Sequence, residues 1–204
     1  NPLLLAIENG QDKLASRILD KAIAIDETYR RRILEEGVEA MGEATARESV
    51  TSRIATQKNE SGQAALWAAI ETKSDLALRL VDIQDVNNNE RNEVGTTPLM
   101  RAVEIDNVPM IDELLDAGEG SGGDSGGGNM VDLTLVNEYG FSAVTLASYL
   151  PDRELVLEKL LDKAERRVEL ETILAAQCKT EAKRTALMYA IDSENTASAK
   201  VLLS

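Results

Sequence analysis

The 204-residue chain is rich in aliphatic residues and strongly acidic: 43% of it is hydrophobic, only 3% is aromatic, and the formal net charge is −14. This composition supports a folded core and excludes wholesale disorder. The negative charge disfavours nucleic acid as a partner and favours a basic protein segment. The alternative is that the charge serves solubility alone. No apolar run approaches the roughly 20 residues of a membrane span, so we expect no membrane insertion.

A short apolar segment centred on an alanine occurs five times along the chain, and each copy is followed about a dozen residues later by a pair of large apolar residues. Such regular recurrence indicates an internal repeat of two helices. The five central alanines are Ala6, Ala69, Ala102, Ala147 and Ala190. The repeat units are predicted over residues 1–20, 59–83, 92–117, 137–162 and 180–204.

Tight turns precede the later units. Asn-Glu-x-Gly occurs at 59–62, 92–95 and 137–140, and a looser Thr-Glu-Ala-Lys at 180–183. Glycine accepts a positive φ and asparagine tolerates it, which suits a turn at these positions. The Thr or Ser that follows can cap the next helix, and Pro98 suits a first helical turn.

The spacing between units exceeds the shortest period at three places, and each excess predicts an insertion. Residues 26–56 predict a helix over Glu27–Glu36 and a weaker one through Val38, Met41, Val50 and Ile54. Gly118–Gly128 predicts a flexible glycine-rich loop. Residues 163–178 predict an extra helix that places Leu170, Ile173, Leu174 and Cys178 on one face.

Thr97-Pro98-Leu99-Met100-Arg101-Ala102 resembles the Thr-Pro-Leu-His-x-Ala signature of the ankyrin repeat, and Ala69 to Ala102 spans the family period of 33 residues. The resemblance covers all five units and implies an all-α helical repeat solenoid. The chain departs from the family in having no histidine. The signature histidine is replaced by Leu4, Trp67, Met100, Thr145 and Met188. In the family this histidine makes a polar contact with a neighbouring turn. That contact must therefore be replaced by packing here, or by Thr145 in one unit.

Catalytic and cofactor motifs are incomplete. Gly118-x-Gly120-x-x-Gly123 matches a dinucleotide fingerprint but lacks the strand before it and the helix after it. Without histidine the chain lacks the usual general base and imidazole ligand. Cys178 is the single cysteine, so no internal disulfide can form, which fits a reducing, cytoplasmic location. We expect its side chain to be a buried structural thiol. Arg30–Arg32 is expected to be a solvated helix face paired with nearby glutamates. We therefore predict no enzyme activity, no cofactor and no metal site.

Two features indicate a binding surface. Most of the few aromatic residues lie in units four and five, and acidic residues recur at equivalent helix and turn positions, where an ankyrin-like stack places its concave face and turn tips. The candidate protein-binding residues are Tyr139, Phe141, Tyr149, Tyr189, Glu138, Asp192, Glu104, Glu71, Glu93 and Arg101. Two explanations stay open: the aromatic residues form a binding hot spot, or Tyr189 and Phe141 fill the junction beside the helix at 163–178.

The sequence thus predicts a non-catalytic scaffold that binds a partner protein or peptide combining an apolar anchor with Lys or Arg. The alternative is a regulatory or structural segment of a larger protein, such as an enzyme, a channel or a secreted effector, that contacts its own neighbouring domains. No polar terminal caps are visible, so we expect the segment to come from a longer protein.

Overall fold

The computed structural model describes most of the chain as helices and connecting turns. The described residues are 1–36, 49–60, 62–83, 85–117, 130–167, 170–175 and 184–203. Within these ranges there are twelve helices and no strand, which confirms the all-α class for that part of the chain. None of these helices is long and apolar enough to cross a membrane. The chain divides into two compact units, Asn1–Asn87 and Asn88–Ser204, called units A and B.

Unit A contains five helices that pack around a core of large apolar side chains. They are α1 (Pro2–Glu8), α2 (Asp12–Glu36), α3 (Val50–Thr56), α4 (Ala65–Glu71) and α5 (Leu76–Val81). The pair α1–α2 packs against the pair α4–α5, with α1 on α4 and α2 on α5, while α3 contacts α1, α2 and α4. Ile7, Leu19, Trp67 and Ile70 lie in this core and are at most 2% exposed.

Helix α2 is longer than the repeat pattern indicates. The sequence predicted a unit ending near residue 20 and a separate helix over Glu27–Glu36, whereas one continuous helix spans Asp12–Glu36. The interval Lys21-Ala22-Ile23-Ala24-Ile25 contains neither glycine nor proline, so nothing in it interrupts the backbone hydrogen bonds of the helix. Of the second predicted helix, the structure shows Val50–Thr56; Val38 and Met41 lie outside the described residues.

Unit B contains three helix pairs and one additional helix. The pairs are α6 (Pro98–Glu104) with α7 (Val108–Asp116), α8 (Ala143–Tyr149) with α9 (Glu154–Arg166), and α11 (Ala186–Asp192) with α12 (Thr196–Leu203); α10 spans Leu170–Ala175. The first helices pack in the order α6, α8, α11 and the second helices in the order α7, α9, α12. The additional helix α10 packs on α9 and buries Ile173, one of the residues that the apolar pattern at 163–178 placed on a helical face. The predicted start of this helix at residue 163 was wrong, because Lys163–Arg166 belongs to α9. Cys178 and Gly118–Gly128 lie outside the described residues.

All five helix pairs bury their central alanine, and four of them share one local backbone geometry around it. These alanines are 0–3% exposed, which confirms the predicted burial. In four pairs the alanine carbonyl accepts a hydrogen bond of 2.8–2.9 Å from the backbone N–H five residues later. The residue before that donor has a positive φ of 53–66°: Gly10, Lys73, Asp106 and Glu194. In the remaining pair the connection is one residue longer, and the positive φ occurs at Asp152.

The turns predicted from Asn-Glu-x-Gly have a common structure. In each, the backbone N–H of the asparagine donates to the residue four positions later, and the glycine N–H donates back to the asparagine carbonyl, with distances of 2.9–3.1 Å. Gly95 has a φ of +74°, and a Cβ there would lie 3.3 Å from the Cα of Asn137 in the next turn. The Glu138 N–H also donates to the Val94 carbonyl, 3.0 Å away, so the turns before α6 and α8 touch. Glycine is therefore required for both conformation and close approach.

Side-chain caps start the short helices where the sequence places them. The Thr97 hydroxyl accepts from the Met100 N–H at 3.3 Å at the start of α6. Ser142 and Thr145 form a reciprocal capping box at the start of α8. A short helix leaves few of its terminal N–H groups bonded internally, so these caps define where each seven-residue helix begins.

Candidate protein-binding surface

Three of the four aromatic residues predicted to form a binding site come together in unit B. The ring centroids of Phe141 and Tyr189 are 4.9 Å apart, those of Phe141 and Tyr149 are 6.0 Å apart, and those of Tyr149 and Tyr189 are 6.1 Å apart. The Tyr149 and Tyr189 rings meet edge to face, the arrangement that aromatic quadrupoles favour. We call these three residues the aromatic cluster.

The cluster is assembled by a turn and two packed helices. Phe141 ends the turn before α8, where its carbonyl accepts from the Asn137 N–H and its own N–H donates to Asn137 Oδ1, both at 2.9 Å. Tyr149 is the last residue of α8, and Tyr189 lies in α11, which packs directly on α8. The three rings thus come from three different backbone segments that meet at the junction of two helix pairs.

The members of the cluster differ in exposure. Tyr189 is 7% exposed and Phe141 is half-buried, whereas Tyr149 is 45% exposed. Tyr139, the fourth predicted aromatic residue, lies at the turn tip and is 57% exposed. Tyr189 therefore supports the cluster from within the junction of two helix pairs, and Tyr149 is the most exposed ring of the cluster.

Tyr149 occupies the same repeat position as the acidic residues singled out in the sequence, two places after the central alanine. In unit B the residues at this position are Glu104, Tyr149 and Asp192. Arg101 Nη1 lies 3.0 Å from Glu104 Oε2, and Arg184 Nη1 lies 2.8 Å from Asp192 Oδ2. Both acids thus have an arginine partner, so the predicted row of acidic groups is partly neutralised.

The remaining predicted residues are distributed over both units. Glu93 and Glu138 are exposed in successive turns of unit B, which the hydrogen bond between Glu138 and Val94 holds together. Arg101 is half-buried beside Glu104. Glu71 is exposed at the end of α4 and belongs to unit A.

Sequence reasoning missed two surface features. Met188 and Ile191 in α11 are 48% and 62% exposed, although their repeat position is buried in every other pair. An open groove of about 720 Å³ in unit A lies between α1 and the turn after α3, and its lining includes Leu5, Glu8 and Lys58. The exposure of Met188 and Ile191 could have been noticed in the repeat alignment, because the equivalent residues of the other pairs are buried. The groove depends on the placement of a turn that carries no motif.

No protein-family model matches the chain, and no match was found among curated proteins. The structure shows no group of three or more His, Cys, Asp or Glu side chains able to hold a metal ion in the ranges that it describes.

Proposed function

We propose that this chain is an ankyrin-type repeat protein that binds a protein partner without catalysis, through a surface centred on the aromatic cluster. Four of the five helix pairs share one hydrogen-bonding pattern around a buried alanine, and three of the turns share another. In unit B the pairs pack in chain order, first helix on first helix and second on second, as in a repeat stack. These regularities support the ankyrin-like arrangement.

The observation that carries the binding proposal is the position of Tyr149. It is half-exposed, it rests on Phe141 and Tyr189, and it occupies the position that bears an acid in neighbouring pairs. Interface energy concentrates in large, rigid side chains of this kind that are surrounded by polar groups. A tyrosine already held in place loses little conformational entropy when a partner covers it.

The groups beside Tyr149 define the chemistry of the partner. Glu104 and Asp192 each have an arginine partner, yet their side chains remain 30% and 44% exposed, so each carboxylate can still accept further hydrogen bonds. A segment with an apolar or aromatic anchor for Tyr149 and a flanking Lys or Arg fits this pattern. Such a partner binds more weakly as salt rises, because the exposed charges are screened.

A peptide-display selection on the 204-residue chain provides the probe for a test. We expect selected peptides to contain an apolar anchor beside a basic residue. We expect Tyr139→Ala combined with Tyr149→Ala to weaken their binding by at least about 2 kcal/mol, or roughly 30-fold in Kd. Since Tyr149 contacts two other rings, its replacement also lowers the unfolding free energy by about 1 kcal/mol. Binding must therefore be measured well below the melting temperature of the variant.

Leu155→Ala is the matched control, because this side chain is 72% exposed on α9 and lies outside the aromatic cluster. Its affinity for the selected peptides should equal that of the unmodified chain. Peptides that bind the double tyrosine variant as tightly as the unmodified chain would exclude the aromatic cluster as the site. A loss fully explained by the unfolded fraction would do the same.

A further inference from the structure

Asp192 lies beside the aromatic cluster. It is the last residue of α11 and follows Tyr189 by three places, so the two side chains lie on the same side of this helix, one turn apart. The Tyr189 ring meets the Tyr149 ring edge to face, with the centroids 6.1 Å apart. The half-exposed ring of Tyr149 and the carboxylate of Asp192 therefore lie on the same side of the junction between α8 and α11.

The Asp192 carboxylate already holds a cation from its own chain. Arg184 Nη1 lies 2.8 Å from Asp192 Oδ2, and the two side chains are 45% and 44% exposed. Arg184 lies just before α11 and Asp192 ends it, so the arginine side chain runs along the surface of this helix. This ion pair covers the carboxylate without being buried itself.

The other acid beside Tyr149 is held in a different way. Arg101 and Glu104 are one turn apart in α6, where Arg101 Nη1 lies 3.0 Å from Glu104 Oε2. Their side chains are 33% and 30% exposed, less than those of Arg184 and Asp192. Release of Glu104 would move a partly buried arginine, whereas Arg184 can turn into solvent from an exposed position.

An exposed ion pair of this kind is weak enough to be displaced. Solvent and salt screen the attraction, and holding a long arginine side chain in one geometry costs rotamer entropy. A partner whose apolar anchor already contacts Tyr149 holds its neighbouring basic residue close to Asp192. This raises the effective concentration of the partner's cation, so it can compete with Arg184.

On the basis of the function proposed above, we propose that Asp192 binds the basic residue of the partner and that Arg184 occupies this carboxylate until the partner arrives. Binding then exchanges one cation for another: Arg184 turns into solvent, and the Lys or Arg of the partner takes its place. Glu104 stays paired with Arg101. Arg184 therefore lowers the affinity for basic segments and favours those that carry an apolar anchor as well.

Two capped tripeptides are the probes for this proposal: acetyl-Lys-Trp-Lys-amide, called the Lys peptide, and the neutral acetyl-Gln-Trp-Gln-amide, called the Gln peptide. Binding to the 204-residue chain is followed at low ionic strength by the shifts of the backbone amides of α8 and α11 in two-dimensional NMR spectra. Short peptides bind weakly, so the titration extends to about 10 mM. In Arg184→Gln the Kd of the Lys peptide should fall roughly three-fold, because an exposed competitor is removed. The Kd of the Gln peptide should not change.

Arg166→Gln is the matched control. Arg166 is also an exposed arginine, paired with Asp162 at 2.7 Å, but it lies on α9 and outside the aromatic cluster. Its replacement removes the same positive charge and should leave the Kd of the Lys peptide unchanged. Asp192→Asn should raise this Kd, and Arg184→Gln should then have no further effect.

A Kd in Arg184→Gln equal to or above that of the unmodified chain would overturn the proposal, because Arg184 would then not compete. An equal gain in Arg166→Gln, or a gain that survives Asp192→Asn, would also refute it, since net charge alone would explain such results. Failure of the proposed function is detected separately, as binding of the Lys peptide that Tyr149→Ala leaves unchanged. Absence of binding by either peptide, even in Arg184→Gln, would contradict both proposals.

Discussion

Asp26 links two helices of unit A through a single carboxylate, and its neutralisation has a predictable cost. Its oxygens accept from Ser49 Oγ at 2.7 Å and from the N–H groups of Val50 and Thr51, each at 2.9 Å. A side chain of α2 thus caps the N-terminus of α3, where unbonded N–H groups favour a negative charge. Asp26→Asn keeps the shape but removes the charge, and it turns one acceptor into a donor that faces an N–H group.

The pKa of Asp26 gives the size of the effect. Partial burial raises the pKa of this carboxyl, but the hydrogen bonds from Thr51, Ser49 and Val50 outweigh burial and lower the pKa from 3.8 to about 2. At about 1.4 kcal/mol per pKa unit, this shift corresponds to about 2 kcal/mol. The carboxylate is only half-buried, so solvent screening reduces the expected loss to about 1 kcal/mol.

The direction of the pKa shift determines how the contribution of Asp26 to stability changes with pH. Because the folded-state pKa lies below the unfolded value, ionised Asp26 stabilises the fold at all pH values above about 4. This contribution disappears as pH falls from about 4 to about 2. Urea unfolding of the unmodified chain and of Asp26→Asn should therefore differ by about 1 kcal/mol at pH 7 and converge near pH 2. Other carboxylates titrate equally in both proteins, so they cancel in the difference.

Asp82→Asn is the control for the loss of one negative charge from an acidic chain, since Asp82 is an exposed aspartate that follows α5. It should change the unfolding free energy by less than about 0.5 kcal/mol. A difference between the unmodified chain and Asp26→Asn that persists unchanged to pH 2 would show that the amide acts through shape rather than charge. Equal stability at pH 7 would show that Asp26 does not hold α3.

Three further substitutions test the repeat geometry. Ala102→Leu should lower the unfolding free energy by about 1–3 kcal/mol, measured with urea, because this fully buried position has no room for a larger side chain. Asn137→Ala removes the Oδ1 acceptor of the Tyr139 and Phe141 N–H groups; we expect a loss of about 1–2 kcal/mol in thermal melts and a weaker near-ultraviolet signal from the aromatic cluster. Ser142→Ala removes the cap of α8 and should cost about 1 kcal/mol in the same melts, and an unchanged melting temperature would contradict the capping role.

Local chemistry made part of this fold predictable. Thr97-Pro98 and Ser142 begin helices because a hydroxyl that accepts a terminal N–H and a proline with fixed φ act within one turn of chain. Asn92 and Asn137 form turns for the same reason, since each bonds backbone groups at most four residues away. Such signals depend on neighbouring residues only, so a single sequence contains them.

Features that depend on residues distant in the sequence were harder to predict. The exposure of Tyr149 and the burial of Tyr189 follow from the packing of α8 on α11. The sequence left open whether Tyr189 and Phe141 bind a partner or fill the junction between helix pairs. The pairing of Arg184 with Asp192 was missed because the acids were read as a row without their neighbours. The length of α2 was missed because the repeat alignment suggested a boundary that the helix-forming residues 21–26 do not supply.

If the chain has the ankyrin-type arrangement proposed above, the contact that the signature histidine makes must be replaced by another, because the chain has no histidine. Sequence reasoning sought its replacement at the signature position, in Thr145. The hydroxyl of Thr145 instead bonds its own helix start, accepting from the Ser142 N–H at 2.7 Å and donating to the Ser142 carbonyl at 3.0 Å. In unit B, Arg153 and Asn195 of the connecting turns make polar contacts with the preceding pair, donating to carbonyls at the end of its first helix. The Val103 carbonyl also accepts from the Asp106 N–H, 3.3 Å away, so Arg153 adds a second donor to it and links two helix pairs. The signature position holds Trp67 and Met100 in two other pairs, where each is at most 2% exposed.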